Sequence, residues 1–312
     1  MLGVSVIIPV YNASAFLEKA VYSALQFEEV TEIVLVEDGS SDHSLSIAEK
    51  LASAYPKIKL FQHPDKGNHG AGASRNLGID KASGEYIAFL DSDDYYLPNR
   101  FDMERQYFKD PSIDGVFGGI GIEYLSEKGK EEFQRKFKNM SITTVAYAAK
   151  GEEVFRGLLG LSAKTFGTFF HLNTLTVRKA ALEKNSLRFN KDLRVHQDSD
   201  FIIKLSHHTF LTSGIIDDAV AIRGVHDDNR ITKIKKYSKE YNERQLLLWT
   251  SLYKWAKLRN LPAEYQKRIY LNYRSFDLAV KTGIQKYICL LSELVKNPEI
   301  LKTKYRFTYL NR

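Results

Sequence analysis

The chain is 312 residues long, 44% apolar and 27% charged, the composition of a globular protein with room for one large domain or two ordinary ones. A single cysteine, Cys289, excludes an intramolecular disulfide and a four-cysteine zinc site. The net charge of +7 is uneven: residues 231–312 hold 18 Lys and Arg against six Asp and Glu, a net +12 that leaves −5 for residues 1–230. No apolar run approaches the roughly 20 residues of a membrane helix. Met1-Leu2-Gly3-Val4 runs into a strand-like segment without a basic leader, so no secretion signal and a cytoplasmic location are expected.

Val4 to Val10 is a continuous apolar run rich in β-branched residues, which suits a central strand buried on both faces. Pro9 lacks an N–H, so pairing is expected to stop there. Asn12 or Ser14 can then cap a helix whose apolar face is Phe16, Leu17, Ala20, Val21, Ala24 and Leu25. The pattern repeats. Glu32–Val36 reads as a second strand ending in Glu37-Asp38-Gly39-Ser40-Ser41-Asp42, with a helix through Leu45, Ala48, Leu51 and Ala52. Ile58–Phe61 is a third strand, followed by a polar loop from Gln62 to Asn68 and a helix entered at Gly70 and ended near Gly84. Tyr86–Leu90 is a fourth strand. Four alternations of strand and helix with short links predict an open, mostly parallel sheet with right-handed crossovers.

Beyond Pro98 the expected elements are a strand over 115–124, a flexible polar loop over 126–140, and a strand over 168–177. A short helix over 178–184, a helix from Asp198 with Phe201, Ile202 and Leu205 inward, and a strand over 214–223 complete this part. From Lys239 onward the chain reads as helices carrying Leu246, Leu247, Trp249, Leu252, Tyr253 and Trp255.

Ligands of such sheets bind outside the carboxyl ends of the strands. The unusual chemistry lies there: Tyr11-Asn12, Asp38-Gly39-Ser40, the loop from His63 to Gly72, and Asp91-Ser92-Asp93-Asp94. Three carboxylates in four residues repel one another and call for a cation, a basic partner or open water. A solvated turn is the plain alternative. The exits together point to a nucleotide-type site.

Four ordered segments resemble the family 2 glycosyltransferases, which have the GT-A nucleotide-sugar fold: Val4–Asn12, Val36–Asp42, Gly72–Ile79 and Gly84–Asp94. The resemblance is strong over about residues 3–100, patchy to His226 and absent after it. It implies that Pro9 and Tyr11 flank the base, with Tyr11 able to stack on it. Asp38 would accept the uracil imide N–H, and Asp91 would hold ribose or sugar hydroxyls. Asn12 and Ser92 fall with them in the donor site. Asp93 would bind Mg²⁺ or Mn²⁺ bridging the two phosphates. Arg75 and Lys66 are candidate nucleotide contacts, with a surface charge or helix cap as the alternative for each. Asp198, in His196-Gln197-Asp198, falls where the family carries its base, with Gln197 in place of the usual glutamate; a helix N-cap is the alternative. In the late Arg-x-x-His segment, Arg223 would help with phosphate charge and His226 would join the metal or diphosphate, unless His226 is structural. His207-His208 has no partner at ligand spacing and is expected to be solvated.

The resulting expectation is an inverting, metal-dependent transferase with a nucleotide-sugar donor, a UDP-sugar, acting on a saccharide or lipid-linked acceptor for a bacterial surface polysaccharide. A non-catalytic nucleotide-binding or scaffold protein on a degenerate GT-A fold is the alternative. A nicotinamide enzyme is disfavoured, since Pro9-Val10-Tyr11-Asn12-Ala13-Ser14 has no glycine where that fold needs a glycine-rich turn. The expected domains are 1–230, divided near residue 100 into nucleotide and acceptor halves, and a basic helical 231–312. Lys233, Lys235, Lys236 and Lys239 with the aromatic helices behind them could rest on an anionic membrane. Alternatively, Trp249 and Trp255 pack on the catalytic domain or on a second subunit as a homodimer. The region matches no nucleic-acid recognition module.

Overall fold

The structure, a computed structural model, describes residues 2–137, 141–167, 169–227, 235–303 and 305–310. Strands β1 (Val4–Val10), β2 (Val30–Glu37), β3 (Ile58–Gln62) and β4 (Tyr86–Phe89) alternate with helices α1 (Leu17–Leu25), α2 (Ser44–Ala54) and α3 (Ala71–Lys81). After β5 (Tyr95–Tyr96) come α4 (Asp102–Tyr107), β6 (Gly115–Phe117), β7 (Gly119–Tyr124), α5 (Glu127–Phe137), β8 (Ile142–Thr143) and α6 (Glu152–Leu159). Then follow β9 (Thr176–Arg178), α7 (Lys179–Lys184), α8 (Gln197–His208), β10 (Leu211–Ser213) and β11 (Ala219–Val225).

Seven strands form the central sheet in the order β10-β6-β9-β4-β1-β2-β3, and β5-β11-β7-β8 form a smaller sheet. The stretch from β3 through β4 is parallel, while β9 runs antiparallel to both β4 and β6. Every residue of β1 is buried, as a strand covered on both faces requires. The two faces divide its residues by alternation. Ile7, with Val34, Val36, Ile87 and Phe89, joins one apolar core. Val4, Val6, Ile8 and Val10, with Ile33, Leu35 and Leu90, join the other.

Several expectations change. Pro9 does not end the pairing with β2, which runs on through Val10 opposite Glu37. Ile7 O accepts from Leu90 N and Val10 O from Asp38 N, so Pro9 points its missing donor toward β4, where pairing has already ended at Ile7. Residues 115–124 are two strands in two sheets, parted at Gly118, and the expected loop at 126–140 contains helix α5. The expected strand at 168–177 is instead a 3-10 turn, Leu172–Thr174, and the short β9. The strand over 214–223 is shifted to β11, with β10 preceding it. Residues 138–140, Thr168, Lys233 and the expected boundary at 230/231 lie outside the described residues.

The tail supplies helices Lys239–Leu258, Ala263–Val280, Gly283–Lys296 and Arg306–Leu310. Trp249, Leu252 and Phe276 are fully buried in the same core as Phe155, Phe201 and Phe89 of the sheet layer. Trp255 packs partly buried against that core, edge-on to Phe155. His207 and His208 are therefore not solvated: both rings lie against Trp255, and burial pushes His208 down to about 4.

Candidate functional site

The exits of β1 and β2 are laced together by short polar side chains. Asn12 Oδ1 accepts from Ser41 N at 2.8 Å, and Asn12 N donates to Ser40 Oγ at 3.1 Å. Ala13 N donates to Ser44 Oγ at 2.8 Å, and Asp42 accepts from Ser14 N at 3.0 Å. Burial pushes the Asp42 carboxyl up, but hydrogen bonds from Ser44 and Ser14 outweigh it and bring it down to about 2. Neither Asn12 nor Ser14 caps α1, whose first position is preceded by Phe16 without a side-chain cap. This lacing leaves Pro9 and Tyr11 at the mouth of a cavity, Tyr11 being 42% exposed.

Asp38 also lines the cavity, though buried, and its carboxylate organises the neighbouring loop. It accepts from Asn68 Nδ2 at 3.0 Å, His69 N at 2.8 Å and Gly70 N at 2.8 Å. His63 Nε2 lies 3.5 Å from Asp38 Oδ1, so of a carboxylate's roughly four lone-pair sites at most about one is left for a ligand. Arg194 reaches across to Asn68 Oδ1 at 3.1 Å and closes this side. Lys66, on an exposed turn with φ 54°, is not brought into the cavity.

The acidic turn follows β4. Arg75, 5% exposed on α3, places Nη2 at 2.5 Å from Asp91 Oδ1, while its Nε and Nη1 are buried without a hydrogen-bond partner. Burial pushes the Asp91 carboxyl up, but Arg75, with His171 and Arg223 behind it, holds it below the usual range. Asp94 turns inward. It accepts from Asn173 Nδ2 at 2.5 Å and Gly224 N at 2.9 Å, and burial beside Asp93 and Asp91 raises it well above its ordinary value. Asp94 is thus a tie between the turn, the 3-10 segment and β11. Asn173, fully buried, also accepts from Asp91 N at 3.0 Å. Beneath it, Arg100 donates to Asn173 O at 2.9 Å and pairs with Glu104 at 2.5 Å.

Among the described residues, two groups could hold a divalent cation. Asp93 Oδ2 lies 3.2 Å from His226 Nε2, whose ring stacks on Phe16 at 4.9 Å. Asp91, Asp94 and His171 bring one ligand atom each within 4.8 Å of one another. Burial and the positive Arg223 push His171 down to about 3, so its ring is neutral near pH 7. Asn173 N donates to His171 Nδ1 at 3.3 Å, which places the ring proton on Nε2, 3.9 Å from Asp91 Oδ2. In that tautomer His171 Nε2 donates, and ligating a cation would move its proton to Nδ1 at the cost of one long hydrogen bond.

Helix α8 brings the last component. His196, in the left-handed region at φ 63°, precedes Gln197, and Asp198 sits in the first turn, where the helix N-terminus favours negative charge. Asp198 is not the N-cap, so that alternative falls away. Gln197 lies over α3: a Cβ at Gly72 would meet its Oε1 at 2.3 Å and displace the Gln197 amide. From the tail, Gln245 places Nε2 at 3.2 Å from His196 Nε2. Ser251 donates to Asp200 at 2.7 Å in the same first turn of α8.

One cavity of about 600 Å³ therefore gathers Pro9, Tyr11, Asn12, Asp38, Arg75, Asp91, Ser92, Asp93, Asp198, Arg223 and His226, leaving out Lys66. His171, Asn173 and Arg194 were missed from sequence. A histidine and an asparagine inside an apolar run, and an arginine just ahead of an acidic helix start, were the available signals.

The family model described as Glycosyl transferase family 2 matches residues 5–170, just over half of the chain. The chain belongs to that family. A cholesterol galactosyltransferase of Borreliella burgdorferi is 32% identical over 207 residues, covering 65% of this chain and 54% of that protein. A GalNAc(5)-diNAcBac-PP-undecaprenol beta-1,3-glucosyltransferase of Campylobacter jejuni is 26% identical over 97% of this chain and 96% of its own length. The match spans only 18–54% of the length of five curated relatives, the galactosyltransferase among them. Among solved structures, S. aureus TarS 1–349 in complex with UDP-GlcNAc has a TM-score of 0.64 at 17% identity, covering 99% of this chain and 88% of that one. That likeness is one of fold, the GT-A architecture expected from the sequence.

Proposed function

We propose that this family 2 protein is a glycosyltransferase that moves a sugar from a nucleoside-diphosphate donor, a UDP-sugar, to a hydroxyl of a saccharide or lipid-linked acceptor, with inversion, in the synthesis of a bacterial surface glycan. The observation that carries this reading is the convergence of four strand exits and the α8 carboxylate on one cavity. Tyr11 offers a stacking face for the base, and Asp38 keeps about one acceptor site for an imide N–H. Arg75, with two buried unpartnered nitrogens, and Arg223 offer positive charge to a diphosphate. Asp198 takes the proton of the acceptor hydroxyl as its oxygen bonds to the anomeric carbon. The bond to the diphosphate oxygen breaks, and its electron pair leaves with the nucleoside diphosphate.

The donor set fits a divalent cation. Asp93 with His226, or Asp93 beside Asp91, offers hard oxygen and imidazole ligands that suit Mn²⁺ and, for the carboxylates, Mg²⁺. Such an ion, when bound, neutralises charge on the departing diphosphate.

Thermal melts against a panel of nucleoside diphosphates, with and without Mn²⁺, test the reading. UDP with Mn²⁺ is expected to raise the melting temperature, and Asp93→Ala to remove the metal-dependent part. Absence of stabilisation by uridine or guanosine diphosphate, with Asp93→Ala changing nothing, would sink it. Binding without turnover across a donor and acceptor screen would favour a scaffold instead, and NMR of a product's anomeric configuration tests inversion.

A further inference from the structure

The third tail helix, Gly283–Lys296, carries apolar side chains on its outer face as well as its inner one. Its inward face centres on Glu293, which is buried and accepts from Arg274 Nε at 2.8 Å, Asn297 Nδ2 at 2.8 Å and Tyr270 OH at 3.2 Å. Its outward face carries Ile284, Tyr287, Ile288, Leu291 and Val295, each between 57% and 86% exposed. Spacings of three, four, seven and eleven residues put these side chains on one stripe of the helix. A globular helix ordinarily leaves its outer face polar; this one packs Cys289, Leu290 and Leu294 inward beside the Glu293 carboxylate and still carries a second apolar stripe outside.

The surrounding charge indicates what could cover the stripe. Residues 281–310 hold six Lys and Arg against two acids. Both acids are already engaged, Glu293 with Arg274 and Glu299 with Lys267 at 2.9 Å. Lys296 flanks the stripe, and Lys302 and Arg306 are exposed just beyond it. A two-fold contact between copies would set the same basic segment against itself, which like charge opposes. The tryptophans of the first tail helix offer no competing surface, because Trp249 is buried and Trp255 lies against the core.

We propose that this stripe is a docking surface for an anionic lipid bilayer. The helix lies in the plane of the interface with Ile284, Ile288, Leu291 and Val295 among the acyl boundaries, Tyr287 at headgroup level, and the basic residues drawn to anionic lipid. This placement differs from the one expected from sequence, which relied on Lys233 to Lys239 and the aromatic helix behind them. It does not depend on the transferase reading.

Vesicle co-sedimentation of the full chain tests it. Binding to vesicles of phosphatidylglycerol and phosphatidylethanolamine is expected at low salt, with at least about tenfold weaker binding to pure phosphatidylcholine or at high salt. Ile288→Ser with Leu291→Ser, both at exposed positions, is expected to lower partitioning about tenfold or more while leaving the thermal melt unchanged. Lys296→Gln with Lys302→Gln should weaken binding and reduce its salt dependence. No sedimentation at low salt overturns the proposal, as does binding that the serine pair leaves unchanged. A concentration-dependent dimer abolished by the serine pair, without vesicle binding, overturns it in favour of a second copy.

Discussion

Asn173 offers the sharpest test of how the acidic turn is held. Its side-chain amide both donates to Asp94 and accepts from Asp91 N, in a position with no access to solvent. Asn173→Ala removes both partners at once. A buried polar group left unsatisfied costs about 1–3 kcal/mol, so two of them put the loss at about 2–6 kcal/mol. For a chain of this size each kcal/mol moves the melting temperature by about 2 °C, so a drop of roughly 4–12 °C is expected. The turn should also lose its position, because Asp94 also anchors Gly224 N on β11. The measurement is a pair of melts, with and without UDP and Mn²⁺, the ligand increment being smaller in the variant. A melting temperature within about 1 °C of wild type would show that Asn173 is not the tie inferred here.

Gly224→Ala would place a Cβ 2.4 Å from Asp93 O, backbone against backbone, so the β11 strand or the turn must move. Overpacking of this kind costs about 1–3 kcal/mol, and denaturant unfolding should show it alongside weakened donor binding. The Asp42 carboxyl, lowered to about 2 in the folded chain, contributes stability that is present above its unfolded value near 3.8 and lost as pH falls toward 2. Asp42→Asn should therefore reduce stability at neutral pH and flatten the acid limb of a stability–pH profile; an unchanged limb refutes the assignment. His208 has a linkage of the same sign in a higher pH window. Its folded value of about 4 lies below the unfolded 6.5, so the unfolded state gains protons first and stability falls as pH drops through that window. Its Nε2 is buried without a partner, so His208→Leu should stabilise the chain, and more at pH 5 than at pH 7.5, by a difference on the order of 1 kcal/mol. Equal gains at both pH values would count against it.

The first hundred residues were legible because their physics is local. A run such as Val4–Val10 cannot sit anywhere but between two covered faces, and polar residues gathered at four successive exits must share an edge. Later elements depend on partners far away in sequence. Helix α5 reads as loop because most of its residues are charged, yet Phe133 is buried, with Tyr124 edge-on to it. The segment His171–Thr174 looks strand-like, but Thr174 Oγ1 bonds back to His171 O and curls it into a 3-10 turn. Asp94 gave no sign of facing inward, since its partners Asn173 and Gly224 are 79 and 130 residues away. The outward stripe of the third tail helix was equally hidden: periodicity reveals a face, not the direction in which it points.

The contacts between α8 and the first tail helix bear on how this chain could diverge from its relatives. The family match ends at residue 170, whereas the candidate base lies at Asp198, on a helix steadied by Gln245 and Ser251. Trp249, four positions beyond Gln245, belongs to the core that also holds Phe201 of α8. The tail is thus grafted onto the chemistry rather than appended to it. Exchanging tails between relatives to redirect acceptor choice should fail unless α8 travels with the graft, and a chain cut before Lys239 should leave α8 unsupported and the core around Phe201 uncovered.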